Sequence, residues 1–476
     1  MTNDATTPEQ ATPEQATGSS SVKPRISVIG TGYLGATHAA AMAEMGFDVI
    51  GVDTDPAKVA ALADGRVPFF EPGLPELIVK HVASGRLAFT TDLAEAVAVS
   101  DVHFVCVGTP QRRGSHAANL SYVEEATRTV AAALSHDGLI VGKSTVPVGT
   151  AAHLREIVAG VVPAGVTADL VWNPEFLREG HAVEDTLRPD RIVFGGTDVR
   201  TEAVMRTVYA MPIATGTPVI SCDLPTAELV KVSANAFLAT KISFINAISE
   251  LCEAAGANVS TLADALGFDD RIGRKFLNAG LGFGGGCLPK DIRALMFRAN
   301  ELSAHRVVGL MQQVDEINMA QRQRVIDQAI DACGGSVLNR RIAVLGAAFK
   351  PHTDDVRDSP ALNVAAALHL RGAQVLVVDP EATQTAQRSF PTLSFADSAA
   401  EAVTDADAVL LLTEWPEFVG ADAAGLAELA ANPVVIDARN VLDAEVWSAA
   451  GWEVRPLGGR RIPAQRRVLA PTAVPA

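Results

Sequence analysis

The sequence predicts an α/β protein in which two doubly wound, Rossmann-like domains are joined by a central helical domain with a long spine helix. Between about residues 25 and 222, short β-branched runs alternate with longer helical segments, and the same alternation resumes at residue 341. Such alternation is typical of βαβ units around a buried parallel sheet. The region between the two parts has helical periodicity only, and 476 residues are enough for two or three domains.

The expected elements follow this pattern in chain order. Strands are predicted at residues 26–29, 49–52, 102–107 and 139–141, with helices at 36–45 and 122–134. A long helix over 226–252 carries apolar side chains at helical spacing, and a second long helix is predicted over 306–332. Four further strands are predicted at residues 342–345, 375–378, 408–412 and 434–436.

These patterns divide the chain into five segments. Residues 1–24 are predicted to be a disordered leader, because they are polar and lack the basic region and apolar run of a signal peptide. The remaining segments are a first Rossmann domain (25–222), a central helical domain that also supplies the subunit contact (223–335), a second Rossmann-like domain (336–454) and a loose tail (455–476).

Composition and charge exclude several classes of function. The net charge of −16 argues against a nucleic acid or an anionic membrane as the main partner. The five cysteines are widely spaced and form no CxxC or Cys/His metal pattern, so we expect no metal site and a reducing cytoplasm. No apolar run reaches the roughly 20 residues of a membrane span. The sequence therefore predicts a soluble, cytoplasmic protein with a small-molecule substrate.

A dinucleotide-binding fingerprint, G-x-G-x-x-G, follows the first predicted strand directly. Gly30 suits the tight turn, Gly32 lets the backbone approach a pyrophosphate, and Gly35 lets helix and strand pack closely. Asp53 ends the next strand, about 20 residues on, where an acid binds the ribose hydroxyls. Because Asp53 and Asp55 would repel a 2′-phosphate and no arginine is close in sequence, NAD is predicted rather than NADP.

The second Rossmann-like domain begins similarly, at residues 345–350, but without the glycine spacing. Lys350 and Arg357 flank Asp354 and Asp355, an arrangement that suits phosphate capture at the carboxyl end of a strand. A solvated surface pair of charges is an equally good interpretation of these residues alone.

Cys287 lies on a glycine-rich segment, residues 280–286, immediately before an expected helix start at Pro289. A helix N-terminus favours negative charge, so we expect it to help keep the thiol as the reactive thiolate. Lys290 and Asp291 place a cation and a carboxylate nearby. A buried structural cysteine is the alternative, but so many glycines indicate a mobile, open backbone and favour a nucleophile.

At this point the residues match a family. The ordered blocks are 30–35, 71–74, 108–110, 143–150, 173–180, 189–191, 235–238, 283–291 and 349–351. Over about residues 25 to 440 the chain resembles the nucleotide-sugar 6-dehydrogenases, specifically those acting on UDP-glucose. The resemblance implies a four-electron oxidation of the sugar C6 hydroxyl to a carboxylate, with two NAD reduced. It also implies a thiohemiacetal and a thioester on the cysteine, a UDP-sugar site in the second Rossmann-like domain, a product used for polysaccharide synthesis, and a homodimer or higher homo-oligomer.

The resemblance also assigns roles to individual residues. Cys287 is the nucleophile, Lys231 supports charge on the reacting oxygen, and Asp291 handles water and protons; Glu175, Thr145 and Asn235 complete the catalytic set. The implied cofactor contacts are Gly30, Gly32, Tyr33, Leu34, Gly35, Asp53, Lys58, Thr109, Thr145, Glu179, Lys290 and Arg357. The implied substrate contacts are Glu175, Phe176, Leu177, Arg178, Glu179, Lys231, Asn235, Arg271 (toward a neighbouring subunit), Phe276, Leu277, Asn278, Ala279, Gly280, Gly284 and Lys350.

The sequence departs from the family pattern at three positions, and several rival functions fit parts of the same pattern. Gly286 stands where many relatives carry serine, Leu288 where phenylalanine is common, and Ala438 where glycine is usual. Taken alone, Lys231 also fits a solvated helix lysine, and Glu175 and Glu179 also fit the exposed face of a surface helix. The closest rival is a GDP-mannose 6-dehydrogenase, followed by a UDP-N-acetylmannosamine dehydrogenase. A two-electron hydroxyacid dehydrogenase would not need Cys287, and a non-catalytic NAD or nucleotide-sugar sensor would bind without turnover.

Overall fold

A computed structural model describes residues 23–465 and contains two β-sheets. The strands of the first sheet are β1 (Ile26–Ile29), β2 (Val49–Val52), β3 (Leu87–Thr90), β4 (Val102–Val105), β5 (Gly138–Gly142), β6 (Ala168–Trp172), β7 (Ile192–Gly195) and β8 (Val219–Cys222). They lie in the order β3-β2-β1-β4-β5-β6-β7-β8. All neighbours are parallel except β6 and β7.

Nine helices accompany this sheet within the described part of the chain. They are α1 (Tyr33–Glu44), α2 (Pro56–Ala63), α3 (Leu74–Ala83), α4 (Leu93–Ala98), α5 (Ser121–Ala133), α6 (Thr150–Val161), α7 (Ala182–Leu187), α8 (Val199–Val208) and α9 (Ala210–Ala214). Chain connections leave β1 and β4 in opposite directions along the sheet. The carboxyl ends of these two strands therefore form the switch point at which open α/β sheets bind ligands.

The central region is built from α10 (Leu224–Ala255), α11 (Val259–Gly267), α12 (Leu288–Glu301) and α13 (His305–Ala332). α10 is 32 residues long and begins at Asp223, whose side chain accepts a hydrogen bond from the Thr226 N–H at 2.7 Å. It ends at Gly256, which has φ +71°, a left-handed conformation that favours glycine. The predicted long spine helix is therefore confirmed, and it is bounded by residues suited to both ends.

The second sheet consists of six strands in the order β11-β10-β9-β12-β13-β14, all parallel. Its elements are β9 (Arg341–Leu345), α14 (Pro360–Leu370), β10 (Gln374–Val378), α15 (Thr383–Ser389), β11 (Ser394–Phe395), α16 (Ala399–Val403), β12 (Ala408–Leu411), α17 (Pro416–Val419), α18 (Ala423–Leu429), β13 (Val434–Asp437), α19 (Ala444–Ala449) and β14 (Glu453–Pro456). Two doubly wound sheets joined by long helices confirm the predicted fold class.

Several strands were not predicted from the sequence. In the first sheet these are β3, β6, β7 and β8, and in the second β11 and β14. β3 and β8 lie at the two edges and are partly exposed. Partly exposed edge strands lack the continuous apolar run that identifies a buried parallel strand.

The segment after β13 corrects the expectation of a loose tail from residue 455. Arg455 lies within β14 and is buried, and its guanidinium pairs with Asp331 at 2.8 Å and with Glu453 at 2.6 Å. Ile462 pairs through its backbone with Val454. This part packs because acids on α13 and β14 neutralise the arginine. The rest of the expected tail, 466–476, and residues 1–22 of the expected leader lie outside the described residues.

Among the described residues, no helix combines the length and the apolar character that a membrane span requires.

Packing between β1 and α1 makes a testable prediction about Gly35. A Cβ on this residue would lie 1.8 Å from the carbonyl oxygen of Gly30, a backbone atom that cannot swing aside. We expect Gly35→Ala to lower the free energy of unfolding by about 1–3 kcal/mol, the usual cost of overpacking a core. Gly32→Ala is the matched control, because no atom lies within 4 Å of that Cβ position. Urea unfolding of both variants measures the difference, and equal stability would contradict the close contact.

Candidate active site

The dinucleotide fingerprint forms the turn between β1 and the N-terminus of α1. Gly30 has φ +90°, and its carbonyl oxygen lies against Gly35. The space beside Gly32 is open, so a ligand can approach the backbone there. The three glycines thus occupy the three environments that the fingerprint requires. With the N-terminal N–H groups of α1 they fit the pyrophosphate of a dinucleotide.

Asp53 follows β2, and its carboxylate faces the fingerprint loop. It accepts hydrogen bonds from the Thr31 N–H at 2.9 Å and from Lys58 Nζ at 2.8 Å. Burial by itself would raise the pKa of Asp53, but the hydrogen bonds from Lys58 and the backbone lower it overall, so the group is ionised. An ionised acid here can accept hydrogen bonds from ribose hydroxyls, and it disfavours a 2′-phosphate. Lys58 therefore lies at the cofactor end of the site.

Loops after β4 and β5 bring further predicted cofactor residues to the same edge. Thr109 Oγ1 donates to the Thr145 carbonyl at 2.7 Å. Thr145 also lines a small cavity with Lys290 and Asp291, which joins the cofactor edge to α12. Leu34 packs its side chain against the core of the first domain.

Four of the predicted catalytic side chains meet where α10 faces the start of α12. Lys231 Nζ lies 2.9 Å from Glu175 Oε1, and Asn235 Nδ2 donates to Asp291 Oδ2 at 2.7 Å. Lys231 and Asn235 are one turn apart on α10 and are both buried. The alternative of a solvated helix lysine at position 231 is therefore wrong. Lys290 Nζ bonds the second oxygen of Asp291 at 2.7 Å.

Lys231 is a buried cation. Burial alone would lower its pKa, but the negative charges of Glu175 and Asp291 raise it overall. Removing one partner of a buried ion pair leaves an uncompensated charge and is strongly destabilising. The raised pKa keeps the ammonium group protonated, and the ion pair with Glu175 fixes its position.

Cys287 is the N-cap residue of α12, so the predicted helix start is confirmed. Its side chain is exposed, yet protein surrounds the sulfur, and burial raises the pKa of the Cys287 thiol to about 12. The carboxylates of Glu175 and Asp291 raise it further, and Lys231 only partly offsets them. Solvent that reaches the exposed side chain moderates the increase. The raised pKa therefore favours the protonated thiol over the expected thiolate.

The glycine-rich segment is packed rather than open, which corrects a second expectation. Gly282, Gly284 and Gly285 are buried. A Cβ on Gly280 would lie 2.6 Å from the Ala438 carbonyl oxygen, and one on Gly284 would lie 2.5 Å from that of Asp358. Here glycine serves close approach between backbones, not mobility. The segment that leads to Cys287 is therefore packed against the second domain.

The segment that carries the two predicted glutamates has no regular helix, so the surface-helix interpretation is wrong. Glu175 turns toward α10, where it pairs with Lys231. Glu179 turns toward the second sheet and lies 3.0 Å from Arg357 Nη2. Burial raises the pKa of Glu179 to about 7, the negative charge of Asp355 adds to this, and Arg357 opposes it. Glu175 thus connects the first domain to α10, and Glu179 connects it to the second Rossmann-like domain.

Both predicted cations of the second domain face this segment. Lys350 Nζ donates to the Glu179 carbonyl at 2.5 Å, and burial lowers the pKa of Lys350. Arg357 Nη2 lies 2.6 Å from Asp355, and its Cζ lies 2.2 Å from where a Cβ on Gly286 would stand. Gly286 therefore leaves room for the arginine in its observed position. Nothing in the structure explains Leu288.

A cleft of about 410 Å³ opens beside this cluster. Its walls include residues 174–178, Lys231, Asn235 and Phe276. Cavities of about 430 and 420 Å³ lie beside Arg155 and beside Arg460, but none of the predicted catalytic residues lines either. The geometry therefore favours the cleft as the place of chemistry.

The remaining predicted substrate residues are not all brought together. Leu277 and Ala279 are buried in the core, and Asn278 accepts a hydrogen bond from Arg274. Arg178 pairs with Asp185 at 2.6 Å. Arg271 is exposed and bonds Asp269 on its own loop, so within one chain it does not join the cluster.

Sequence reasoning missed a buried group behind the cleft. Lys143 Nζ donates to Asn173 Oδ1 at 3.0 Å and to Tyr209 Oη at 3.1 Å. Arg191 stacks over the ring of Phe176, with 3.8 Å from Cζ to the ring centroid. Asn173 and Arg191 lie in matched blocks, but a pattern in sequence does not show which side chains turn inward. Glu71, also in a matched block, is buried under the fingerprint loop.

Comparison with known proteins places three parts of the chain in one family. Models of the UDP-glucose/GDP-mannose dehydrogenase family match with their NAD binding domain over residues 24–213, their central domain over 225–320 and their UDP binding domain over 343–444. NAD as the cofactor, predicted from the fingerprint, is thereby confirmed.

Individual relatives cover nearly the whole chain. A UDP-glucose 6-dehydrogenase of Rhizobium meliloti (strain 1021) is 44% identical over 436 residues, which is 91% of this chain and 99% of that protein. One of Bacillus subtilis (strain 168) is 42% identical, covering 91% and 93%. Among solved structures, a UDP-glucose dehydrogenase from the archaeon Pyrobaculum islandicum has a TM-score of 0.83 at 37% identity, covering 90% of this chain and 97% of that one.

The protonated state of Cys287 is tested by its rate of alkylation. With a raised thiol pKa, we expect the rate with iodoacetamide to increase about tenfold per pH unit between about pH 7 and 9, because only the thiolate reacts. Peptide mass spectrometry separates this residue from the other cysteines, and Cys287→Ser is the control for background labelling. Glu175→Gln removes a carboxylate that raises this pKa, so the variant should react faster at every pH. A plateau near pH 8 in the unmodified protein would contradict the assignment.

Proposed function

Because the chain belongs to the UDP-glucose/GDP-mannose dehydrogenase family and is an NAD-dependent oxidoreductase, we propose that it oxidises UDP-glucose to UDP-glucuronate. The two oxidations occur at one site through a covalent intermediate on Cys287. One observation carries the proposal above others: an accessible thiol faces a buried cation and two carboxylates at the junction of an NAD-binding domain and a second Rossmann-like domain.

Lys231 has the properties of the group that stabilises the reacting oxygen. Its charge is buried and its orientation is fixed by Glu175, so it can support negative charge on the C6 oxygen without reorganisation. Because its pKa is raised, it acts as a cation and not as the base. NAD, when bound, supplies the hydride acceptor in both oxidations. The proton of the C6 hydroxyl must then pass to a carboxylate or to water.

Cys287 becomes the nucleophile once an aldehyde is present. Sulfur adds to the carbonyl carbon as the thiol proton leaves, and the oxygen is held by Lys231. Oxidation of the resulting thiohemiacetal gives a thioester, and water cleaves the C–S bond to release the carboxylate and restore the thiol. Glu175 and Asp291 lie within the same cluster as the sulfur. They are therefore suited to accept the thiol proton and to orient the attacking water.

The nucleotide end of the substrate is assigned to the second domain. Lys350 lies at the carboxyl end of β9, where doubly wound sheets bind ligands. Its partner is a backbone carbonyl, which carries no charge, so it can exchange that bond for one to a diphosphate. We propose residues 25–222, 223–335 and 336–454 as the NAD-binding, central and UDP-sugar-binding domains. We also propose a cytoplasmic location and a product used for polysaccharide synthesis.

We propose that α10 forms the contact of a homodimer. Phe237, Phe244 and Leu251 lie seven residues apart on this helix and are 66%, 49% and 64% exposed. A spacing of seven residues keeps side chains close to one face of a helix. Such a continuous apolar stripe on a soluble enzyme is typical of a protein interface. The same contact would bring the exposed Arg271 toward a neighbouring subunit, as the resemblance implies.

The proposed reaction is tested by its stoichiometry. We expect two NADH per UDP-glucose consumed, with UDP-glucuronate as the product, measured by absorbance and by chromatography on the same sample. GDP-mannose and UDP-N-acetylmannosamine are the comparison substrates. One NADH per substrate would indicate a two-electron dehydrogenase, binding without NADH would indicate a sensor, and faster turnover of GDP-mannose would reassign the substrate.

The covalent step is tested by Cys287→Ala. We expect this variant to bind NAD with unchanged affinity and to form no acid product, because the aldehyde has no sulfur to add to. The matched control is Cys222→Ala, a partly buried thiol on the edge strand β8, which should keep the activity. Full activity of Cys287→Ala would overturn the mechanism while leaving the substrate assignment intact.

The dimer proposal is tested by the double variant Phe244→Asp, Leu251→Asp. Two buried charges in an apolar contact should halve the mass measured by light scattering. Leu370→Asp is the matched control, because Leu370 is 85% exposed at the end of α14 and lies outside the proposed contact. A monomeric unmodified protein, or a double variant of unchanged mass, would contradict the proposal.

A further inference from the structure

Glu71 is a buried carboxylate that the proposed mechanism does not use. It is 2% exposed and lies just before the start of α3. Its oxygens accept hydrogen bonds from the Gly180 N–H and the Ala182 N–H, both at 2.7 Å, and from the Tyr33 hydroxyl. One side chain thus joins the fingerprint loop to the turn at the start of α7.

On one side, this network reaches the dinucleotide site. Tyr33 is the first residue of α1 and lies between two fingerprint glycines, where the pyrophosphate would bind. Burial raises the pKa of Tyr33, and the bond to Glu71 raises it further, so its hydroxyl stays protonated and donates. A ligand that fixes the backbone of this loop therefore also fixes the direction of the Tyr33 ring.

On the other side, the network reaches the second domain. Gly180 directly follows Glu179, whose carbonyl accepts from Lys350 and whose carboxylate lies 3.0 Å from Arg357. Gly180 itself has φ +81°, and a Cβ there would lie 2.5 Å from the His352 carbonyl oxygen. Close by in sequence, the Phe70 N–H donates to Asp354 Oδ1 at 3.2 Å. Glu71 is therefore connected to the loop 350–357 only through direct contacts and through residues that are adjacent in the chain.

We propose that Glu71 is a positioning residue that couples NAD binding at the fingerprint loop to nucleotide binding at Lys350 and Arg357. The inference rests on the assignment of Lys350 to the nucleotide end of the substrate in the proposed function. NAD would stabilise the position of Tyr33 seen here and, through Glu71, the position of the turn at Gly180. The second ligand would then bind more tightly, because it favours the same position of the turn. Coupling is reciprocal, so the nucleotide raises the affinity for NAD by the same factor.

Two substitutions remove different hydrogen bonds of the Glu71 network. A carboxylate has two acceptor oxygens for three donors, whereas a glutamine presents one acceptor oxygen and an NH₂ group. In Glu71→Gln, the NH₂ group would therefore oppose one of the backbone N–H donors. Tyr33→Phe keeps the ring and removes only the hydroxyl. It cuts the link to Glu71 and also the 2.8 Å hydrogen bond that the hydroxyl accepts from the Gly180 N–H, and it leaves the two backbone bonds to Glu71 in place.

The coupling is measured as the ratio of the NAD dissociation constants without and with saturating UDP, by calorimetry on the full chain. These two ligands cannot react with each other. Typical couplings are about 5- to 150-fold, so we expect a ratio of at least about five in the unmodified protein. In Glu71→Gln and in Tyr33→Phe we expect the ratio to fall below about two.

Glu228→Gln is the matched control. Glu228 is also 2% exposed and accepts two backbone N–H bonds at the start of a helix, from Gly149 and Ala151. It is outside the proposed link, so its variant should keep the ratio of the unmodified protein. A ratio of one in the unmodified protein, an unchanged ratio in Tyr33→Phe, or an equal loss in Glu228→Gln would each overturn the inference. If Glu71→Gln does not fold, Glu71→Asp takes its place, because it keeps the charge but shortens the side chain by one methylene; an unchanged ratio in that variant would overturn the inference.

Failure of the coupling and failure of the proposed function are distinguishable. Oxidation of UDP-glucose without coupling between NAD and UDP would overturn only the role of Glu71. Coupling without oxidation of UDP-glucose would overturn the proposed substrate and leave the positioning role in place.

Discussion

The rest of the site depends on the ion pair between Lys231 and Glu175. A buried ammonium group is costly unless a carboxylate lies beside it, and here Glu175 is brought from the end of β6 to a side chain on α10. The same negative charge that holds Lys231 protonated also raises the thiol pKa of Cys287. The arrangement therefore favours a fixed cation over a resting thiolate. In the proposed reaction, the thiol would lose its proton only as the sulfur attacks.

The residues of the site come from all three parts of the chain, so the site lies between the domains. The first sheet supplies the fingerprint, the paired threonines and Glu175; α10 and α12 supply Lys231, Asn235 and Asp291; and the second sheet supplies Lys350 and Arg357. The segment 280–286 passes between these parts, with its glycines against backbone carbonyls of the second domain. Cys287 is thus placed by packing from all three parts, and a displacement of either sheet would alter its contacts.

The fold could be predicted because its signals are local. Each fingerprint glycine acts on its immediate neighbours, and apolar spacing identifies α10 without knowledge of its partners. Tertiary contacts explain what could not be predicted. Glycine has the same appearance in sequence whether it serves mobility or close approach, and Gly284 packs against Asp358, a distant part of the chain. The helix start beside Cys287 suggests a thiolate, but burial of the sulfur raises the thiol pKa, and Glu175, from another domain, raises it further. The sequence favours a loose tail at Arg455 because its acidic partner Asp331 is far away in sequence, on α13.

An acidic protein can bind two anionic ligands only if its cations are concentrated and held in place. Four of the predicted cations have carboxylate partners within the site: Lys58 has Asp53, Lys231 has Glu175, Lys290 has Asp291 and Arg357 has Glu179 and Asp355. These pairs orient the cations before a ligand arrives, and they also reduce the positive charge that it meets. Burial raises the pKa of Glu179 to about 7, so near neutral pH this carboxylate is partly protonated. Glu179 is therefore easier to neutralise than an ordinary glutamate, which leaves more of the positive charge of Arg357 available.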